Sequence, residues 1–285
     1  MEDFELQKKS FAADTAEDQN VRHVRYFRDT ILNPNNFSYW FRKIRGLREK
    51  SIVVPLSFVI FVPDNVQISF FGEREGDMQR ITDWFHECVE PVIRDNFAGK
   101  HIFMKNGCFS NKFDFDKSCH IFPNDDAVDI IRKMNNIMYT SLCYDTDGCG
   151  ELVLRDWVNP SEDAKSIYQG MPFRPEMRVF YDFDKKKILY TVNYWDWDYC
   201  HDHICECFGE RTPDADVYEG EYAKEQRMVE VWGEQHIPLI EEALATVDMK
   251  GCWSVDFILD KDRVILIDMA LARQSAYWDE KKVKA

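Results

Sequence analysis

Hydrophobic positions recur along this chain with two periods, and the changes of period divide it into elements. From Asn36 the residues Phe37, Trp40, Phe41, Ile44 and Leu47 fall three or four apart, with Arg and Lys between them, which predicts an amphipathic helix. The apolar runs IVVPLSFVIFVP (52–63) and VQISFF (66–71) predict two strands. Helical spacing returns over about Asp77 to Asn96, where Met78, Ile81, Trp84, Phe85, Cys88, Val89 and Val92 share one face. These stripes read as core. HIFMKN (101–106) and CHIF (119–122) predict short strands separated by the polar and aromatic loop GCFSNKFDF. Asn124 is expected to cap a helix through about Thr140, with Val128, Ile131, Met134 and Met138 facing inward. Asp145–Gly150 forms a turn cluster, and residues 1–20 are polar and loosely packed by expectation. ELVLRDWV (151–158), EMRVFYDF (176–183) and ILYTVNYWDW (188–197) predict further strands, and Tyr222 to Thr246 predicts a helix interrupted near Gly233 and Pro238.

The sharpest pattern lies near the C-terminus. CWSVDFILD (252–260) and RVILIDMAL (263–271) read as buried strands separated only by Lys261 and Asp262, which is hairpin spacing. Each carries one acid in an otherwise apolar run, Asp256 in the first and Asp268 in the second. A carboxylate in a buried strand is costly unless something pairs with it. Two such acids on neighbouring strands can share a divalent cation, since magnesium is commonly held by one or two carboxylates plus substrate phosphates. Solvent-facing acids, or acids paired with Lys or Arg, are the plain alternative. Together the elements make an α+β pattern of antiparallel strand runs with helices inserted.

Composition narrows the function classes. Of 285 residues, 45% are hydrophobic and 14% aromatic, enough for a large core. The formal net charge of −15 disfavours non-specific binding to nucleic acid or to anionic membranes, and leaves room for a local basic cleft. The longest apolar run is too short to span a bilayer and contains Pro55. Nine scattered cysteines without a paired framework, and an N-terminus without an apolar signal core, predict a reduced, cytoplasmic setting.

Four groups carry candidate chemistry. Lys105 ends a strand and Lys112 lies in the Gly107-containing loop that follows, so the two can meet phosphates or be ordinary surface lysines. Arg155 sits in an apolar strand and must find an anion or snorkel to solvent. After it, the backbone of Asp156, Trp157 and Val158 can run past an adenine edge. Glu176 and Arg178, two apart on an alternating strand, face one side. Arg178 there can clamp a γ-phosphate or a carboxylate, or form an ion pair across the sheet. The segment Cys200-His201-Asp202-His203-Ile204-Cys205-Glu206-Cys207 invites a zinc reading. Its spacing is poor: on a strand alternate ligands lie ~7 Å apart, and a helix is expected to gather only Cys200 with His203 or His203 with Cys207. No Walker loop, GxGxxG, GxSxG or HExxH is present.

The order Lys105 with Lys112, Arg155, Arg178, Asp256, Asp268 resembles the ATP-grasp superfamily. More specifically, it resembles the branch that includes the eukaryotic cell-division-cycle chaperone assembling translation initiation factor two, with related bacterial and phage proteins. The motifs that carry the resemblance are FMKNGCFSNK, LVLRDW, PEMRVF, SVDFILD and ILIDMAL, over about residues 100–275. It implies an ATP-grasp core at 100–285, in which ATP lies between two α+β lobes, preceded by a substrate-side lobe at 1–99. Lys105 and Lys112 would hold the phosphates, Arg155 and the backbone of Asp156–Val158 would serve the nucleotide, and Arg178 would stabilise the moving γ-phosphoryl group. Asp256 and Asp268 would hold Mg2+. The implied reaction joins a carboxylate to an amine through an acyl phosphate, with catalytic roles for Arg178 and Lys112. The implied alternative is an ATP-binding assembly factor with a protein partner and little catalysis. On either reading the hairpin acids are expected to matter to nucleotide binding rather than to folding. One departure stands out: where the family often has an asparagine ligand two residues after the last acid, this chain has Ala270, followed by Arg273, Gln274 and Ser275.

Overall fold

The expected first helix is present as α1 (Phe37–Ile44), continued by a 3-10 turn over Arg45–Lys50. All five apolar residues of its stripe are buried. This is a computed structural model, and it describes residues 33–72, 74–143, 150–208 and 212–284. Residues 1–20 and all but the last residue of the Asp145–Gly150 cluster lie outside the described residues. The run expected as one strand at 52–63 divides into β1 (Ile52–Val53) and β2 (Ser57–Phe61), which enter different sheets. Pro55 stands at the break, where a residue without an N–H cannot continue a ladder.

The expected strand at 66–71 is instead a helix, α2 (Asp64–Phe71). Pro63 precedes it in an extended conformation, and its carbonyl accepts from both Val66 N and Gln67 N. A short apolar run does not by itself separate strand from helix, and the Pro63-Asp64 start decides it. The long helix at 77–96 appears as α3 (Asp77–Trp84), a π turn over Phe85–Val89, and α4 (Glu90–Asn96). Pro91 has no N–H to give the preceding turn, which accounts for the wider turn there. Met78, expected inside, is exposed.

Next come β3 (Ile102–Asn106), β4 (His120–Ile121) and α5 (Ala127–Cys143). Asp126, not Asn124, caps α5: its Oδ1 accepts from Asp129 N at 2.9 Å. Val128 is exposed, while Ile131, Met134 and Met138 are buried as expected. Then follow β5 (Glu151–Asp156), β6 (Ser166–Ile167), β7 (Met171–Pro172), β8 (Glu176–Asp182) and β9 (Lys187–Asn193). The Cys/His segment lies on α6 (Trp197–Phe208). The helix α7 (Pro213–Leu244) runs unbroken through Gly233 and Pro238, against expectation. Gly233 is needed for packing, because a Cβ there would lie 3.1 Å from Met177 Sδ. That close approach offsets the poor helix propensity of glycine. The chain closes with β10 (Cys252–Leu259), β11 (Val264–Leu271) and α8 (Glu280–Lys284).

The fold is therefore α+β, and its contacts divide it into two compact units. Unit 1 comprises the described part of Met1–Tyr39, Ser57–Lys112 and Asp116–Trp157. It contains the four-stranded antiparallel sheet β2-β5-β3-β4. Unit 2 comprises Trp40–Leu56, Phe113–Phe115 and the described part of Val158–Ala285. It contains the five-stranded sheet β1-β11-β10-β8-β9, antiparallel except for the parallel pair β1–β11. Alternation divides β8 and β10 between two faces. Met177 and Leu259 meet α7, while Glu176, Arg178, Ser254 and Asp256 belong to the other face. The β10–β11 turn is the expected tight hairpin: Asp260 N donates to Arg263 O at 2.9 Å, with Lys261 and Asp262 at the tip.

Candidate functional site

In unit 2 three of the singled-out side chains lie in one row. Asp256 is the register partner of Asp268 on β11 and of Arg178 on β8, so all three emerge on one face. Beyond Asp256 the register slips, pairing Phe257 with Leu266 and leaving Ile267 as an extra residue next to Asp268. Such a bulge re-aims the side chains beside it. Arg178 donates from Nε to Asp256 Oδ1 at 2.7 Å and from Nη2 to Oδ2 at 2.8 Å. Its Nη1 donates to the Ala276 carbonyl at 3.1 Å, and its guanidinium carbon lies 4.8 Å from the centre of the Tyr194 ring. Burial works against the arginine's charge, but Asp256 outweighs it and raises the guanidinium pKa further.

The geometry changes one expectation. Asp256 has both oxygens in a buried bidentate ion pair, so it matters to folding as well as to any ligand. Asp268 is half-buried and accepts from the Met269 N–H at 3.0 Å. Ala270 faces Ser254 in the register, and Ser254 Oγ meets Ser275 Oγ at 2.6 Å. Serine hydroxyls thus stand at the row of Ala270. Among the described residues no group of three or more His, Cys, Asp or Glu side chains gathers as a metal site. Two adjacent carboxylates still fit a hard cation that draws its remaining oxygens from phosphate and water, which suits magnesium better than zinc.

Glu176 and Arg178 share a face as expected, but the ion pair of Glu176 is with Arg174, Nε to Oε1 3.8 Å. Arg174, which the sequence reading missed, donates from Nη1 to the Val158 carbonyl at 2.8 Å. Burial lowers its pKa, against the opposing pull of Glu176. On α6, the helix brings together His201 and Cys205, with Sγ 3.8 Å from Nε2, a pair four residues apart that the sequence reading did not anticipate. His201 also binds Glu219, whereas His203 Nδ1 meets the Tyr168 hydroxyl at 3.2 Å. The two histidines therefore serve different neighbours.

In unit 1 Lys105, Arg155 and Glu151 occupy one face of the four-stranded sheet. Lys105 opposes Val153 and Phe103 opposes Arg155, and Glu151, Val153 and Arg155 alternate along β5. All three charged residues are buried. The Arg155 guanidinium carbon lies 5.4 Å from the centre of the Phe37 ring. Glu151 takes Ser38 N at 3.2 Å and the Ser38 hydroxyl, so it supplies the acid that the first turn of α1 lacks. Burial raises the Glu151 pKa, while Ser38 and Lys105 oppose the rise.

Asn106, also missed, shapes the loop after Lys105. Its Oδ1 accepts from Cys108 N at 2.9 Å and Phe109 N at 2.5 Å, a side-chain turn typical of asparagine. Lys112 opens the 3-10 turn Lys112–Lys117. Burial pushes the Cys119 thiol up to about 12, and Lys112 and Lys105 pull against that shift. Of the segment expected to read adenine, Asp156 ends β5 opposite Ile102, and Trp157 stacks on His120 at 4.3 Å. Val158 belongs to unit 2 and has its carbonyl taken by Arg174.

Comparison with solved structures gives similarities to ATP-grasp proteins. The chain is similar to D-alanine–D-alanine ligase from Bacillus anthracis complexed with ATP, at 7% identity over 82% of this chain and 52% of that one, with a TM-score of 0.33. It is similar to a RimK domain ATP-grasp protein from Sphaerobacter thermophilus at 10% identity, covering 95% and 68%, with a TM-score of 0.33. It is also similar to C-terminally truncated Cdc123 from Schizosaccharomyces pombe, at 16% identity over 90% of this chain and 93% of that one, with a TM-score of 0.46. No family model and no curated protein matches the sequence. No described helix is long and apolar enough to cross a membrane.

Proposed function

We propose that the chain binds ATP with Mg2+ and joins a carboxylate to an amine through an acyl phosphate. The observation that carries this reading is the row Asp268–Asp256–Arg178, two acids and an arginine in register on adjacent strands. A bound magnesium ion would neutralise phosphate charge there. Asp256 and Asp268 are the residues to hold it. Arg178, a rigid planar donor set, is suited to a phosphoryl group whose charge spreads over three oxygens. Lys105 and Lys112 supply point charges for the phosphates, and Arg155 and the backbone of Asp156–Val158 serve the nucleotide.

In the reaction a substrate carboxylate oxygen bonds to the γ-phosphorus as the bond to ADP breaks. The amine then attacks the acyl carbon, phosphate leaves with the electron pair, and the amine loses a proton. Such chemistry needs positioning and charge neutralisation and no side-chain nucleophile.

A second reading is favoured by Ala270 and by the ion pair that holds Asp256: an ATP-binding factor that captures a protein partner with little turnover. The test pairs calorimetry of ATP with Mg2+ against ADP release with a panel of amino acids and peptides, for the wild type and Arg178→Ala. A ligase loses about 100-fold or more in turnover and much less in ATP affinity. ATP binding without turnover across the panel selects the assembly reading. A wild type that does not bind ATP overturns both.

A further inference from the structure

We infer that Arg178 is a specificity-determining residue: as resident counter-ion of Asp256 it makes the Asp256–Asp268 row refuse a free divalent cation and accept one as its polyphosphate complex. This rests on the assignment of the row to a metal–polyphosphate ligand.

The argument is one of charge and geometry. The row holds two carboxylates and one guanidinium in register. Both Asp256 oxygens take a donor of Arg178, at 2.7 and 2.8 Å, and both residues are buried. A bare cation approaching Asp256 must break a buried, charge-assisted bond and then sit beside a guanidinium. A polyphosphate reverses that balance. It carries negative charge that gives the guanidinium a new partner while the metal takes carboxylate oxygen.

Arg178 is built for such an exchange. Its third bond goes to a neutral acceptor, the Ala276 carbonyl at 3.1 Å. The Tyr194 ring, 4.8 Å from the guanidinium carbon, keeps the guanidinium in place without competing for its donors. Asp268, opposite Asp256 and beside the bulge at Ile267, is the carboxylate that does not take an Arg178 hydrogen bond. With Arg178 removed, two facing carboxylates would remain with their charge uncompensated by it, and a divalent cation is the natural substitute.

Equilibrium dialysis of Mn2+ against the full chain, with and without inorganic tripolyphosphate, tests this for the wild type, Arg178→Gln and the double variant Arg178→Gln/Asp256→Asn. The wild type is expected to bind Mn2+ alone weakly and at least 10-fold more tightly with tripolyphosphate. Arg178→Gln is expected to bind Mn2+ alone at least 10-fold more tightly than the wild type, and the double variant to lose that gain. An Arg178→Gln protein no better than the wild type with Mn2+ alone overturns the proposal. So does a wild type that binds Mn2+ equally well with and without tripolyphosphate.

If Arg178→Gln does not fold, Arg178→Lys serves. It keeps a charge but loses the two-bond geometry, and a gain of about 3-fold is expected; no gain overturns the proposal. A wild type that takes Mn2+ with tripolyphosphate but not with ATP overturns the nucleotide reading and keeps this one. Mn–ATP binding with no gain in Arg178→Gln does the reverse.

Discussion

The two sheets bury charge in opposite ways. The four-stranded sheet of unit 1 buries two cations and one acid on a single face, Lys105 and Arg155 with Glu151. Both Glu151 oxygens are bonded to Ser38. The five-stranded sheet of unit 2 buries more acid than cation on one face, Asp256 and Glu176 with Arg178, where Arg178 and Asp256 are bonded at two points and the half-buried Asp268 stands beside them. A cation-rich face suits an anionic ligand. The Arg178–Asp256 pair has instead a bond that a ligand must exchange, which makes it a place where binding can be selective.

The largest effect expected from breaking this contrast is at Asp256. Asp256→Asn leaves Arg178 buried without its counter-charge, and a loss of about 3–5 kcal/mol is expected in urea unfolding without ligand. Asp268→Asn, half-buried and outside the bidentate pair, is expected to cost less than about 0.5 kcal/mol. Equal losses at the two positions would mean that the pair does not hold unit 2 together.

This inequality was not legible in the sequence, although much around it was. The 252–271 hairpin could be located to its two tip residues, because strand, turn and strand are contiguous and the tip is polar. Glu176 and Arg178 could be assigned to one face because strand alternation is local. The bond from Arg178 to Asp256 spans 78 positions and depends on which strands become neighbours, a fact that no local period contains. The same holds for Ser38 with Glu151, 113 positions apart, and for Arg174 with Val158. Helix and strand were confused where a short apolar run gave no length to separate them, at 66–71. The expected interruption of α7 near Gly233 and Pro238 does not occur, and the place of Gly233 depends on Met177 of β8.

A smaller effect is expected in unit 1. Lys105→Met keeps the bulk but removes the cation nearest in role to Glu151, whose burial already raises its pKa. A loss of about 2 kcal/mol is expected at pH 8, where Glu151 must otherwise ionise in a less favourable setting, and less at pH 5. Thermal melts at the two pH values check it. A loss that does not shrink at low pH would show that Lys105 acts through packing alone. On the proposed function, the same variant weakens ATP binding and leaves Mn2+ binding in Arg178→Gln unchanged.

A further effect, one that separates the units by size, concerns one buried glutamate of each. Glu151 is bonded to Ser38 and opposed by Lys105, whereas Glu225 on the inner face of α7 has an Oε2 with no hydrogen-bond partner among the described residues. Burial pushes the Glu225 carboxyl up to about 7, with Lys224 pulling it down and Glu221 and Asp163 adding to the rise. A folded pKa above the ordinary value of 4.5 means that the folded chain binds more protons than the unfolded one between those two values. The contribution of Glu225 to stability is therefore fully present below about pH 4.5, and it declines as pH rises through about 7. The whole shift would correspond to ~3 kcal/mol, and access of water to the carboxyl reduces this to about 1–2 kcal/mol. Glu225→Gln carries no titrating group and is expected to be more stable than the wild type by that amount at pH 8, with the difference vanishing near pH 4.5. Burial raises the Glu151 carboxyl as well, but Ser38 and Lys105 oppose the rise, so Glu151→Gln is expected to gain less than Glu225→Gln between pH 4.5 and pH 8. Urea titrations of both variants from pH 4.5 to 8 decide the matter. If Glu225→Gln follows the wild-type curve in parallel, the carboxyl has found a partner in solution and the contrast between the two glutamates falls.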